Sequence, residues 1–306
     1  MKHIFVLNPA AGKGDAEKKI LPQILSAAKK SGVDYEIHRT MHVGDARRFV
    51  RSRCTALEGE LLRFYAVGGD GTLNEVVNGA LRCPNAEIAL IPAGTGNDFP
   101  RMFSSPKAFL DIAKQIKGKA RPMDLIRCNE SHFINMLNIG LDCAVVAKTA
   151  EIKKNSPLNG SAAYLASLTS SFLANKGCFL TVEFEDGTVE EGEFTLVAVG
   201  NGAFCGGGFK GVPQASVDDG LLDVSLIRKV DRKTFLALVR KYHQGTHLND
   251  PKAREIVKYV QCRKVVITSS ERLLFCADGE LAKAKRIELE ILPGAIRFSL
   301  PEGVCR

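Results

Sequence analysis

Along roughly the first 120 residues, short apolar runs alternate with amphipathic stretches. Residues 4–7, 35–39, 62–67 and 88–91 are apolar runs of strand length. Residues 15–30, 44–53, 72–81 and 106–116 place their apolar side chains at helical spacing. Strands separated by helices of this length predict βαβ units and a parallel sheet. After about residue 122 the texture changes. Runs at 133–137, 178–185, 193–199, 220–227, 264–268 and 287–292 read as strands, with Glu185-Asp186-Gly187-Thr188 as a turn between two of them. Helical patterns at 162–173 and 231–242 interrupt them. The expected fold is a three-layer α/β domain with a mostly parallel, Rossmann-like sheet, followed by a mainly β domain of antiparallel sandwich or barrel type. The domains are expected at 1–123 and 124–294, with about 295–306 a candidate to return to the first. No repeat or low-complexity linker parts them, so they are expected to face each other across a cleft.

With 45% hydrophobic residues among 306, the chain can bury two cores. No apolar run reaches membrane-span length. The first residues lead into a strand and a Pro9-Ala10-Ala11-Gly12 turn rather than an apolar leader, so a cytoplasmic protein is expected. Nine cysteines lie scattered, with no Cys-x-x-Cys and no Cys/His cluster at zinc-ligand spacing, as in a reduced compartment. The net charge of +8 is uneven, and residues 1–125 carry +6 of it. Much of the excess lies in Ala46-Arg47-Arg48-Phe49-Val50-Arg51-Ser52-Arg53. An anionic membrane surface or a nucleotide would suit this stretch, as would plain solvent on a basic helix face. Nucleic acid ranks last, for want of a series of aromatic stacking platforms among these arginines.

Three glycine-rich turns leave three strands of the first domain. They are Asn8-Pro9-Ala10-Ala11-Gly12-Lys13-Gly14, Gly68-Gly69-Asp70-Gly71-Thr72-Leu73-Asn74-Glu75 and Gly94-Thr95-Gly96-Asn97-Asp98-Phe99. One such turn is more often a tight connection than a site. Three at the carboxyl ends of one parallel sheet favour a phosphate cradle. Thr72 and Glu75 stand at capping-box spacing, so the helix is expected to open there, its free amides facing an anion. Asp70 adds a carboxylate, which suits phosphate only with a divalent cation between them. The first turn lacks Walker A spacing, and it also lacks the Gly-x-Gly-x-x-Gly of a dinucleotide fold.

In this order the three turns resemble the diacylglycerol kinase catalytic family, which includes soluble bacterial lipid kinases with ceramide and sphingosine kinases as relatives. Later segments are similar too: Arg121-Pro122-Met123-Asp124 at the domain junction, and the loop Asn201-Gly202-Ala203-Phe204-Cys205-Gly206-Gly207-Gly208. Two acidic motifs complete the set, Asp218-Asp219-Gly220-Leu221-Leu222-Asp223 and Ala277-Asp278-Gly279-Glu280.

The resemblance implies an ATP- and Mg²⁺-dependent kinase of a lipid alcohol, most simply diacylglycerol. It implies an ATP site lined by Asn8, Pro9, Ala10, Ala11, Gly12, Thr40, Gly68, Gly69, Asp70, Gly71 and Thr72, with Asn74, Glu75, Gly94, Thr95 and Asn97. Asp70 would organise the catalytic Mg²⁺ through water, with Asp124 in its network, and Glu280 would be the general base. Asp219 would hold a second, structural Mg²⁺, aided by carbonyls of Ser216 and Leu221. A soluble enzyme of this kind would meet an anionic membrane peripherally, and a homodimer is an open option.

From the residues alone, Asp278-Gly279-Glu280 reads first as a hairpin turn, and Asp218-Asp219-Gly220 is evenly balanced between turn and cation site. His243 and His247 stand four apart, yet Gly245 between them and the lack of a His-Glu-x-x-His pattern favour a structural role. The acidic run 183–193 reads as a solvated hairpin. Rival functions are a kinase of sphingoid or other glycerolipid alcohols, an NAD kinase, and a binding protein without catalysis. Asp70, Asp124 and Glu280 together argue against the last.

Overall fold

The computed structural model describes residues 1–12, 14–141, 143 and 177–305. The helical pattern expected at 162–173 lies outside them. The chain divides into two units, Met1–Asp124 with Pro293–Arg306, and Leu125–Leu292.

In the first unit, β1 (Lys2–Leu7), β2 (Tyr35–Arg39), β3 (Leu62–Gly68) and β4 (Ala86–Pro92) form a parallel sheet in the order β2-β1-β3-β4. Phe5, Leu7, Tyr65 and Val67 pack with Ile24 of α1 (Ala16–Ser31) and Ile116 of α4 (Ile112–Ile116). The alternate rows, Ile4, Val6, Phe64 and Ala66, are equally buried. Burial of both rows is why these strands read as continuous apolar runs. Between α1 and α4 in sequence come α2 (Asp45–Ala56) and α3 (Asp70–Ala80). They touch so closely that a Cβ on Gly79 would lie 2.7 Å from the Val50 Cβ. The strand order reverses at β1, which lies between β2 and β3, so the turns leaving β1 and β3 flank a topological switch point.

A polar contact inside this core escaped the hydrophobic pattern. Arg63 of β3 pairs with Glu87 of β4 at 2.8 Å, both side chains 4% exposed, and also donates to the carbonyls of Gln115 and Ile116. Arg297 reaches the other oxygen of Glu87 at 2.9 Å.

Two expectations for this unit need correction. Residues 106–116 are not one helix: a 3-10 turn, Pro106–Leu110, precedes α4, and Asp111 caps α4 by accepting from Lys114 N at 3.1 Å. That aspartate restarts the chain in a new direction, because its side chain competes with the backbone for the helical donors. The junction at 121–124 does carry the chain out of the first unit, which ends at Asp124, but it does so within a strand, β5 (Lys119–Cys128), that was not expected.

The second unit holds β6 (Ser131–Phe133), β7 (Met136–Gly140), β8 (Cys178–Phe184), β9 (Val189–Gly200), β10 (Leu222–Arg228), β11 (Val257–Cys262) and β12 (Lys264–Ala277). It also holds most of β13 (Glu280–Leu300). The pairings within this unit are antiparallel. The long strand β9 borders β7, β8 and β10, and β12 borders β7, β8 and β13. Leu137, Ile139, Val197, Val199, Val265 and Ile267 belong to its core. The acidic run forms the β8–β9 hairpin, with Glu183 opposite Val189. The strand β11 was not expected, since Lys258 and Gln261 break its apolar run. Helix α5 (Arg232–Gln244) is capped by Asp231, ends at Gly245 with φ 71°, and is followed by the short α6 (Pro251–Arg254).

The chain returns along β13, whose far end rejoins the first sheet with Phe298 parallel to Ile88. No helix among the described residues is long and apolar enough to cross a membrane.

Candidate active site

The three glycine turns of the first unit do meet, and backbone contact is what joins them. Asn8 donates from Nδ2 to Thr72 Oγ1 at 3.0 Å, while its Oδ1 accepts from Ala10 N at 3.0 Å. A Cβ on Gly12, at φ +66°, would stand 2.7 Å from the Ala93 carbonyl oxygen. One on Gly68 would stand 2.3 Å from Thr72 Oγ1, and one on Gly94 would stand 2.5 Å from Gly69 Cα. Only glycine permits such approaches. Gly71 differs: no atom among the described residues lies within 4 Å of its would-be Cβ. It opens the first turn of α3 toward space where an anion could meet free amides.

Asp70 is the first residue of α3. Its Oδ2 accepts from Asn97 N at 3.1 Å and its Oδ1 from Asp98 N at 3.2 Å. Burial raises its pKa above the usual carboxylate value, and these amides pull the other way. Each oxygen keeps lone-pair capacity for a hydrated cation. Asn97, at φ 51°, closes a ring by bonding Gly94 N and Gly94 O through its side chain, so it shapes the third turn. Thr95 is exposed beside it. Thr40 joins the cluster through its backbone, donating to Leu7 O at 2.9 Å.

The capping box does not form. Helix α3 begins two residues before Thr72, and Gly69 caps it without a side chain. Glu75 therefore lies too far into the helix to serve that end. Its oxygens instead accept from Gly44 N at 2.8 Å and Ala46 N at 3.1 Å, at the start of α2. Asn74 accepts from Asn78 Nδ2 at 3.0 Å. Asp124, buried on β5, accepts from Gly294 N at 2.8 Å where β13 bends at φ 60°.

In the second unit, Asp278 (φ 46°) and Gly279 (φ 89°) make a two-residue hairpin turn between paired Ala277 and Glu280. Glu280 is exposed at the start of β13. The Asp278 carboxylate accepts from Ile134 N at 2.9 Å, Asn135 N at 3.1 Å and Met136 N at 3.0 Å. The glycine loop 201–208 joins the same connection. Asn201 Nδ2 donates to Ile134 O and Asn135 Nδ2 to Phe204 O, both at 2.8 Å. Sequence reasoning missed these anchoring roles; the one signal was an aspartate in place of the more permissive glycine at a positive-φ turn.

In the loop 216–221, Ser216 Oγ donates to Asp218 Oδ1 at 3.2 Å and Leu221 N to Asp219 Oδ1 at 3.1 Å. No group of three His, Cys, Asp or Glu side chains among the described residues is arranged to hold a metal ion. Any cation here would depend on backbone carbonyls and water as well.

His243 and His247 do not converge. His243 is exposed with its ring edge-on to Phe209, whereas His247 is buried against Tyr242. His247 lines an apolar pocket beneath α5 with Leu196, Ile227, Phe235 and Val239.

A parallel α/β sheet with glycine turns gathered around one carboxylate, continued into an antiparallel β unit, is the architecture of a class of two-unit kinases. Residues 2–128 match the model of the diacylglycerol kinase catalytic domain, and residues 135–300 that of the YegS C-terminal NAD kinase beta sandwich-like domain. The chain belongs to the diacylglycerol kinase family of lipid kinases, and it is a kinase by that membership. It is 34% identical to a probable lipid kinase YegS-like protein of Pseudomonas aeruginosa, over 91% of this chain and 89% of that one. It is 31% identical to a diacylglycerol kinase of Bacillus subtilis, over 90% of this chain and 88% of that one. A crystal structure of a diacylglycerol kinase from Bacillus anthracis superposes with a TM-score of 0.72 at 25% identity, covering 99% of this chain and 98% of that one.

Proposed function

We propose that this kinase transfers the γ-phosphoryl group of ATP to the hydroxyl of diacylglycerol, giving phosphatidic acid and ADP. The observation that carries the nucleotide side is the meeting of three glycine turns around Asp70. Positioning and charge compensation, more than covalent help, are what phosphoryl transfer asks of a protein. Amides at the start of α3 and the open face of Gly71 suit the phosphates, with Asn8 and Thr72 bracing the first two turns. Glu75 and Asn97 act by fixing backbone, Glu75 at α2 and Asn97 in the third turn. Asp70, a carboxylate with lone-pair capacity left, would hold Mg²⁺ through water, and the ion would offset the charge of the phosphates.

Glu280 takes the proton from the acceptor hydroxyl as its oxygen bonds to the γ-phosphorus, and the bond to ADP breaks. Asp124 holds the β13 backbone. Asp219, with Ser216 and Leu221 carbonyls, is assigned the structural Mg²⁺. The apolar pocket beneath α5 has the character an acyl chain requires. Met41 and Val43, 83% and 88% exposed, stand near Arg47 and Arg48, which supports peripheral contact between a cytoplasmic enzyme and anionic membrane.

The test is transfer of label from γ-labelled ATP to diacylglycerol in mixed vesicles, with sphingoid lipid and NAD⁺ offered in parallel. Label in phosphatidic acid, lost in Asp70→Ala and Glu280→Ala, is expected. Label appearing only in another acceptor would replace the substrate assignment, and full activity of either variant would remove that residue's role.

A further inference from the structure

We propose that Asp223 is a second carboxylate of the cation site built on Asp219, supplying its Oδ2. The inference rests on the assignment of a structural cation to the 216–221 loop, and adds a residue that assignment does not contain.

Asp223 stands at the start of β10 with no solvent exposure. Its two oxygens have different surroundings. Oδ1 accepts from the Tyr259 hydroxyl at 2.7 Å and from Gln261 Nε2 at 3.1 Å, while Oδ2 is buried with no hydrogen-bond partner. A buried carboxylate oxygen left in this state is costly, and protonation only exchanges an orphan acceptor for an orphan donor. A cation removes the cost in either account.

The surroundings point to the loop as the source of that cation. Asp219 is an acidic group whose charge acts on both Asp223 and Tyr259. Tyr259 also accepts from Gln214 N at 3.2 Å, so one phenol ties the strand residue Asp223 to the chain just before Ser216. Gly220, at φ +73°, turns the chain between Asp219 and the buried Leu222, so Asp223 opens β10 directly after the bend that bears Asp219. Two carboxylates and two backbone carbonyls make an all-oxygen donor set, the kind that selects a hard divalent cation, with water completing the shell. Tyr259 and Gln261 orient Asp223 from behind, as outer-shell partners of metal ligands commonly do.

Asp223→Asn keeps the shape and an oxygen for Tyr259, and Asp219→Asn alters an exposed side chain; both are made in the full chain without nucleotide. Mn²⁺ binding is followed by electron paramagnetic resonance, and thermal unfolding is followed in EDTA and in Mg²⁺. Each variant should lose at least about tenfold in Mn²⁺ affinity, equivalent to 1.4 kcal/mol. Each should also lose the Mg²⁺-dependent rise in Tm. In EDTA, Asp223→Asn should unfold no earlier than the wild type, because the lone charge is gone. Weakened Mn²⁺ binding in Asp219→Asn but not in Asp223→Asn would overturn the role of Asp223 and leave the loop's cation standing. Binding unchanged in both variants would overturn the cation site itself, and Asp223's part with it.

Discussion

Asp278 and Met136 hold each other by two hydrogen bonds: the carboxylate of Asp278 accepts from Met136 N at 3.0 Å, and Asp278 N donates to Met136 O at 3.1 Å. The same carboxylate serves two further amides, so the turn bearing Glu280 is fixed to the connection between β6 and β7. Asp278→Ala strips three amides of their acceptor and should cost about 1–3 kcal/mol, read by urea unfolding. Its kcat should fall with little change in KM for ATP, since the damage lies at the turn that bears Glu280, the proposed base. Wild-type kcat in a folded variant would show that the anchor has no part in catalysis.

Gly94→Ala and Gly71→Ala should fail in opposite ways. The first drives a Cβ into Gly69 at 2.5 Å and should destabilise the protein by about 1–3 kcal/mol. The second meets no protein atom among those described, so Tm should hold or rise, alanine being the better helix former. Its KM for ATP should nevertheless increase, by about tenfold, if phosphate approaches the backbone there. An unchanged KM would separate Gly71 from the nucleotide.

Glu75→Ala removes the acceptor for two amides at the start of α2, worth about 0.5–2 kcal/mol by analogy with other helix caps. Thermal unfolding should register this loss, while ATP binding should suffer much less than in Asp70→Asn. Equal loss of ATP binding in the two variants would make Glu75 a direct ligand rather than a brace.

His3 and His247 make the fold acid-sensitive. Burial is the main cause that lowers each pKa to about 4, with the neighbouring Arg63 adding to the effect at His3 and Glu87 and Asp34 opposing it. The depressed values favour the neutral native rings. Their contribution is therefore complete above pH 6.5 and is lost as pH falls toward 4, where the unfolded chain binds more protons. Each site can account for on the order of 3 kcal/mol. Urea unfolding at pH 7.5 and 5.0 should show a shallower pH dependence in His3→Gln and His247→Gln than in the wild type. Identical slopes would assign the acid loss to other groups.

The amino-acid pattern by itself determined the alternation of strands and helices in the first unit, the β character of the second, and the family. Burial on both faces writes continuous apolar runs, and glycine is required wherever two backbones nearly touch, so both leave marks in sequence. Tertiary structure decided what depends on partners far along the chain. Glu75 has capping-box spacing yet serves another helix, because α3 already starts at Asp70 and the amides at the start of α2 lie within reach of its carboxylate. Lys258 and Gln261 hide β11, whose place is given by its pairing with β10. Residues 119–128 form the junction as a strand, which the sequence does not show, since pairing depends on segments far away in sequence. Asp223 looks like one more acid in an acidic bend; only the fold buries it.

Family membership was legible in short motifs, whereas a buried carboxylate's environment is a property of assembled neighbours. The nucleotide assignment depends on glycine corners leaving room for phosphate beside Asp70. A crystal of the ATP complex with the triphosphate seated away from that corner would undo it.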